Sequence, residues 1–167
     1  MNHYKVKAIV FDWGDTLMRD FIQYNGPMVN WPNVEMIPGV KDALSQIYEN
    51  YKCCVASNAG ASDSKMMSEA LNRVGIKMFF KEFFTSQELG AKKPDIKFFQ
   101  EILNRLGLEP YQVIMVGNDY NKDIKPAKII GMGTILFSEI KDSDSNQYAD
   151  YTIGSMKELP LAILKLS

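Results

Sequence analysis

The stretch VFDWGDTLM, residues 10–18, ends an apolar run on Asp12 and sets Asp15 three residues later, with Gly14 between them. Ser57 and Asn58 close a second apolar run, KCCVASN, and Lys92 and Lys93 stand just before Pro94 in GAKKPD (90–95). Asn118, Asp119 and Asp123 follow a third run, VIMVG. Carboxylates with amide oxygens suit a hard cation, and a lysine with a hydroxyl suits a phosphoryl group. Each signal also has an ordinary reading: Asp12 as a cap, Ser57-Asn58 as turn chemistry, Lys93 as a solvated lysine before a helix, and GND as a turn. Their joint occurrence, in this order and beside apolar runs, points to a site for a cation and a phosphate.

Such residues need a scaffold that brings distant strand ends together. KAIVFD (7–12), KCCVASN, FKEFFTS, YQVIMVGND, GTILF and DYTIG read as strands. GVKDALSQIYENY carries Val40, Ala43, Leu44, Ile47 and Tyr48 at helical spacing. SDSKMMSEALNRVG reads as a helix opened by Ser62 or Asp63 and closed by Gly75. PDIKFFQEILNRLG reads as a helix with Pro94 in its first turn and Gly107 at its end. Further helices are expected over about 121–130 and from near Ser155. Residues 18–37 hold Gly26, Pro27 and Pro32 without periodicity and are expected to form a loop over the site, in which Trp31 either lines the entrance or packs the loop down. GMGT (131–134) follows a helix and precedes a strand, so it reads as a helix stop rather than a dinucleotide loop. Alternating strands and helices predict an α/β fold, a parallel sheet sandwiched between helices. Ligands of such sheets bind beyond the carboxyl ends of the strands, where all these polar residues fall.

Composition narrows the choice. The 167 residues are the size of one ordinary domain, and 1–167 is expected to be one. A net charge of −1 and a pI of about 5.9 offer no basic field for nucleic acid. No apolar run approaches the ~18–20 residues of a membrane span, and MNHYKVK lacks the apolar core of a secretory signal. A cytoplasmic protein is expected. Cys53 and Cys54 read as small buried residues of a reducing compartment. The methionines at 66, 67, 115 and 132 read as core filler. His3 is the only histidine and is expected to be solvated, so zinc sites and Ser-His-Asp chemistry lack parts.

The ordered set VFDWGDTL, VASN, AKKP and VGNDYNKDI resembles the haloacid dehalogenase (HAD) superfamily, from residue 7 to about 160. The resemblance implies a Rossmann-like core and Mg2+-dependent hydrolysis of phosphate esters through an aspartyl-phosphate. Carried over by position, Asp12 is the nucleophile, and Ser57 with the backbone of Asn58 binds the phosphoryl oxygens. Lys93, rather than Lys92, neutralises charge. Asp12, the Gly14 carbonyl and an acid or amide among Asn118, Asp119 and Asp123 hold Mg2+. The partner is a phosphorylated substrate, a small molecule or an exposed phosphate on a macromolecule.

Two departures qualify the expectation. Phosphatases of this superfamily usually carry a second aspartate two residues after the nucleophile, where it protonates the leaving group and later activates water. Here that position is Gly14, and Asp15 is the candidate to replace it. The usual Gly-Asp after the last motif strand reads Gly117-Asn118, which removes one negative charge from the metal site. The short segments between the motifs leave no room for a separate cap domain. Two alternatives stay open: a phosphate- or metal-binding domain of this type with little turnover, and a non-phosphate hydrolase. A receiver domain fits less well, since it would place paired acids after the first strand and its phospho-accepting aspartate after the third.

Overall fold

Apolar residues fill both faces of the strands, and that decides the architecture. In β1 (Ala8–Phe11), Ile9 and Phe11 join one core while Ala8 and Val10 join another. β2 (Lys52–Ser57) and β4 (Val113–Gly117) split in the same alternating way, with Cys53, Val55, Ile114 and Val116 on the first face and Cys54, Ala56, Val113 and Met115 on the second. A sheet buried on both faces must be covered by helices on both. This computed structural model describes residues 5–140 and 146–167, so the expectation for His3 lies outside the described residues.

The helices divide accordingly. α1 (Val40–Ile47), α2 (Ser64–Arg73) and α6 (Leu159–Leu166) pack on the first face, through Val40, Leu44, Met67, Leu71, Leu159 and Ile163 among others. α4 (Ile96–Leu106) and α5 (Lys125–Ile129) cover the second through Phe98, Phe99, Ile102, Leu103 and Ala127, and the short α3 (Ser86–Leu89) adds Leu89. With β3 (Phe80–Thr85), β5 (Gly133–Phe137) and β6 (Tyr151–Ile153), the sheet has six parallel strands in the order β3-β2-β1-β4-β5-β6. The order reverses at β1, which lies between β2 and β4. The crevice of such a sheet opens where these strands end, and the motif residues follow β1, β2 and β4. Among the described residues there is no separate cap domain, and no helix is long and apolar enough to cross a membrane.

Several local expectations agree with the structure, and others need correction. Asp63 caps α2, its side chain accepting from Met66 N–H at 2.8 Å. Ser155 opens a capping box with Glu158 ahead of α6. Gly131, at φ 96°, follows α5 as a helix stop. Pro94 does not start α4: Asp95 is the cap, accepting from Lys97 N–H at 3.0 Å, and Pro94 stays outside the helix behind a cis Lys93–Pro94 bond. The helix expected over 121–130 has two parts. A wide turn, Tyr120–Ile124, in which Lys125 N–H reaches Tyr120 O, runs into α5. Met67, Met115 and Met132 are core residues, but Met66 is only half-buried. Cys53 and Cys54 are free and fully buried, and burial pushes both thiols up to about 12.

Candidate active site

The strand β1 delivers Asp12 to the crevice in a fixed pose. Its N–H still donates to Val116 O of β4 at 2.9 Å, so the backbone remains in the sheet while the side chain leaves it. Lys93 arrives on the connection between α3 and α4. The Asn58 amide clasps it there at two points: Lys93 N–H donates to Asn58 Oδ1 at 2.7 Å, and Asn58 Nδ2 donates to Lys93 O at 2.8 Å. The side chain of Asn58 therefore positions Lys93, which leaves only its main chain for a phosphoryl group. Lys93 is 4% exposed, whereas Lys92 is exposed and lies outside the cleft.

All three ammonium hydrogens of Lys93 have acceptors: Asp12 Oδ1 at 2.7 Å, Asp123 Oδ1 at 2.7 Å and Ala56 O at 3.3 Å. Burial alone would depress the lysine, but the carboxylates of Asp12 and Asp123 outweigh it and hold its pKa above the usual value. Asp123 moves the other way for a carboxylate. Burial pushes it up to about 6, reinforced by Asp12 and opposed by Lys93. The trio is one cation between two acids, a net negative cluster beneath an open cleft.

Asp123 occupies the space next to Gly117. An ideal Cβ at position 117 would lie 2.5 Å from Asp123 Cβ and 2.6 Å from its Cγ, so only glycine allows the approach. Gly117→Ala should destabilise the protein by about 1–3 kcal/mol by displacing Asp123 from Lys93. Urea denaturation checks this: an unchanged midpoint would contradict the packing described.

The residues expected at a metal differ in which groups their oxygens accept from. Asp123 is engaged through both oxygens: Oδ1 accepts from Lys93 Nζ, Oδ2 accepts from Asp119 N–H at 3.1 Å, and the residue is 1% exposed. Asp119 Oδ1 caps the turn that follows, accepting from Asn121 and Lys122 N–H. By contrast, Asp12 Oδ2 and Asn118 Oδ1 lie 3.1 and 3.3 Å from one hydroxyl, Thr16 Oγ1. Thr16 has a single hydroxyl hydrogen and serves one of the two oxygens at a time. The surplus of converging hard oxygen suits a cation such as Mg2+. No three acidic, imidazole or thiol groups form a metal cage among the described residues.

A cleft of about 390 Å3 lies over these groups. Ser57, 8% exposed, lines it, and so does the chain from Asn58 to Ser62. The segment 18–37 also lines it, with Gly26, Met28 and Trp31. Arg73 of α2 pins that segment by donating to the carbonyls of Val29, Trp31 and Pro32, and Trp31 Nε1 donates to Gly26 O at 3.0 Å. Both expectations for Trp31 hold: it packs the segment onto the body and borders the cleft. Asp15 stands in the left-handed region, φ 56°, with Oδ1 accepting from Asp20 N–H at 3.1 Å. Sequence reasoning missed Thr16, Lys122 and Asp20. Thr16 lies inside VFDWGDTLM, and its spacing of four from Asp12 could have flagged it. Lys122 lies inside VGNDYNKDI, where Asp119 and Asp123 drew the attention, and Asp20 lies two residues past VFDWGDTLM; both line the cleft. Burial, then Asp15 and Asp12, raise the Asp20 pKa above the ordinary carboxylate value.

Residues 5–137 match the family described as haloacid dehalogenase-like hydrolase. Over 93 residues the chain is 46% identical to the glyceraldehyde 3-phosphate phosphatase of Methanocaldococcus jannaschii, a match that takes in 54% of this chain and 41% of that protein. The chain thus spans less than half the length of this curated relative. Its fold is that of an uncharacterized protein from Listeria monocytogenes serotype 4b (TM-score 0.84, 23% identity, 96% of this chain and 98% of that one). It is also that of the putative HAD-hydrolase YfnB of Bacillus subtilis, solved bound to magnesium (TM-score 0.77, 16% identity, 95% and 99%).

Proposed function

Because this chain belongs to the haloacid dehalogenase-like hydrolases, we propose that it is a Mg2+-dependent phosphatase that carries the phosphoryl group transiently on Asp12. The observation that carries this reading is the pose of Asp12. It stands at the end of β1, with Oδ1 held by Lys93 at 2.7 Å and Oδ2 beside Thr16 and Asn118. A carboxylate oxygen of Asp12 attacks phosphorus in line with the leaving oxygen. Lys93 offsets the charge of two anions brought together, and the Ser57 hydroxyl with the Asn58 main chain binds the phosphoryl oxygens. Mg2+, held by Asp12, the Gly14 carbonyl and Asn118, would supply further neutralisation of the phosphoryl charge. Asp123 and Asp119 support that site from behind.

The cleft volume of about 390 Å3 suits a small phosphate ester, and the name of the Methanocaldococcus relative points to a phosphorylated triose as one member of the substrate class. Lys122 at the cleft wall is placed to meet a further anionic group of such a substrate. Adjacent buried thiols at Cys53 and Cys54 suit a reducing cytoplasm, where we place the protein. The test is phosphate release from triose, hexose, acyl and nucleotide phosphates and from a phosphoprotein. The small esters should be cleaved, with activity removed by EDTA and restored by Mg2+. Release from none of these classes with Mg2+ present would overturn the reading.

A further inference from the structure

A phosphatase working through Asp12 needs a proton for the leaving oxygen, and Gly14 has no side chain to bring one. The structure shows what stands in that space. An ideal Cβ on Gly14 would lie 3.3 Å from Asp20 Cβ, 3.4 Å from Asp20 Oδ2 and 3.5 Å from Asp20 Cγ. A side chain at position 14 would grow directly against a carboxylate from six residues further on. Asp20 lines the same cleft as Asp12, and its carboxylate has no hydrogen-bond or ion-pair partner among the described residues.

The chain is built to return Asp20 to this spot. Trp13 O accepts from the N–H groups of Thr16, Leu17 and Met18, which winds the backbone into a tight turn. Asp15, left-handed at φ 56°, donates its N–H to Met18 O at 2.6 Å. Its Oδ1 then accepts from Asp20 N–H at 3.1 Å. Asp15 thus anchors the main chain of Asp20, and its own carboxylate is partly committed by doing so.

We infer that Asp20 supplies the carboxyl group that the Gly14 position lacks, protonating the leaving oxygen and then activating water, with Asp15 as the residue that positions it. In the first step a bond forms from Asp12 to phosphorus and the bond from phosphorus to the leaving oxygen breaks. The Asp20 proton passes to that oxygen, giving the alcohol, a phosphoryl-Asp12 and an Asp20 carboxylate. In the second step the Asp20 carboxylate takes a proton from water as the water oxygen bonds to phosphorus. The Asp12–phosphorus bond breaks, inorganic phosphate leaves, and Asp20 is again protonated. This assignment rests on the phosphatase reading.

Two measurements test it. The first is kcat/KM of the Mg2+-loaded protein for alkyl and aryl phosphates. Asp20→Asn should lower the alkyl values by about 10²–10³-fold, the scale of general acid catalysis, and the aryl values less than about fivefold, because an aryl oxygen leaves without a proton. Asp15→Asn keeps an amide oxygen to accept from Asp20 N–H, so its alkyl-to-aryl ratio should stay within about threefold of wild type, on the same scale. Equal losses for both esters in Asp20→Asn, no loss in either, or an alkyl-selective loss in Asp15→Asn instead, would overturn the assignment while leaving the phosphatase reading intact. A wild type inactive on every ester would remove both.

The second measurement needs neither metal nor substrate. Unfolding equilibria in EDTA are compared for wild type, Gly14→Asp, Asp20→Gly and the double variant. If Asp20 fills the space at position 14, Asp20→Gly should relieve the damage of Gly14→Asp, a coupling of about fivefold or more in the unfolding constant. Additive effects would overturn the placement.

Discussion

Asp12→Asn should reduce turnover of every phosphate ester by about four orders of magnitude or more and leave the fold standing. Asparagine matches aspartate in shape, but its amide is a poor nucleophile for phosphorus. The fold should survive because of how the charges are arranged. Lys93 lies between two carboxylates, Asp12 at 2.7 Å and Asp123 at 2.7 Å. Removing one acid leaves the ammonium paired with the other, so no buried charge is stranded. The amide oxygen that the substitution introduces can still accept from Lys93 Nζ. Circular dichroism and urea denaturation should therefore stay close to wild type, and a phosphoryl mass increment trapped on the peptide around Asp12 in wild type should be missing from the variant. Wild-type activity in the pure variant would end the aspartyl-phosphate reading.

Lys93→Ala should damage both activity and stability, and Lys92→Ala should do neither to a comparable degree. The two lysines are neighbours in sequence and opposites in environment. Lys93 is 4% exposed with its three hydrogens spent on Asp12, Asp123 and Ala56, whereas Lys92 is exposed. Without Lys93, Asp12 and Asp123 face one another with no cation, and burial already raises Asp123 to about 6. Removing one member of a buried ionic cluster typically costs about 3–5 kcal/mol, while an exposed substitution stays within about ±0.5 kcal/mol. Denaturant midpoints and phosphate release measured on both variants provide the check. Equal losses would show that the cleft uses Lys92 as much as Lys93.

The Lys93 environment also shows where sequence reasoning stops. Its place before Pro94 is enough to single it out. The two-point clasp from the Asn58 side chain, 35 residues away in sequence, is not visible there, and the motif assigns Asn58 only a main-chain role toward the phosphate. The sequence places Asp123 near the metal; its real setting, wedged against Gly117 with both oxygens engaged, depends on how the turn after β4 folds back. The start of α4 lies beyond Pro94 because Asp95 caps the helix in preference to it.

The strands, the longer helices and the strand ends bearing Asp12, Ser57 and Asn118 were determined by the sequence alone. The physical reason is that burial repeats along a strand or helix at a period set by backbone geometry, so an apolar pattern states the element, while caps and turns set its ends. The vacancy at Gly14 is equally plain from the residues. What occupies the vacancy was decided only by tertiary structure. Asp20 reaches it through a turn closed by Trp13 O, a left-handed Asp15 and one hydrogen bond at 3.1 Å. Such an approach depends on the three-dimensional path of a loop, which carries no period, and so no local pattern of residue types announces it.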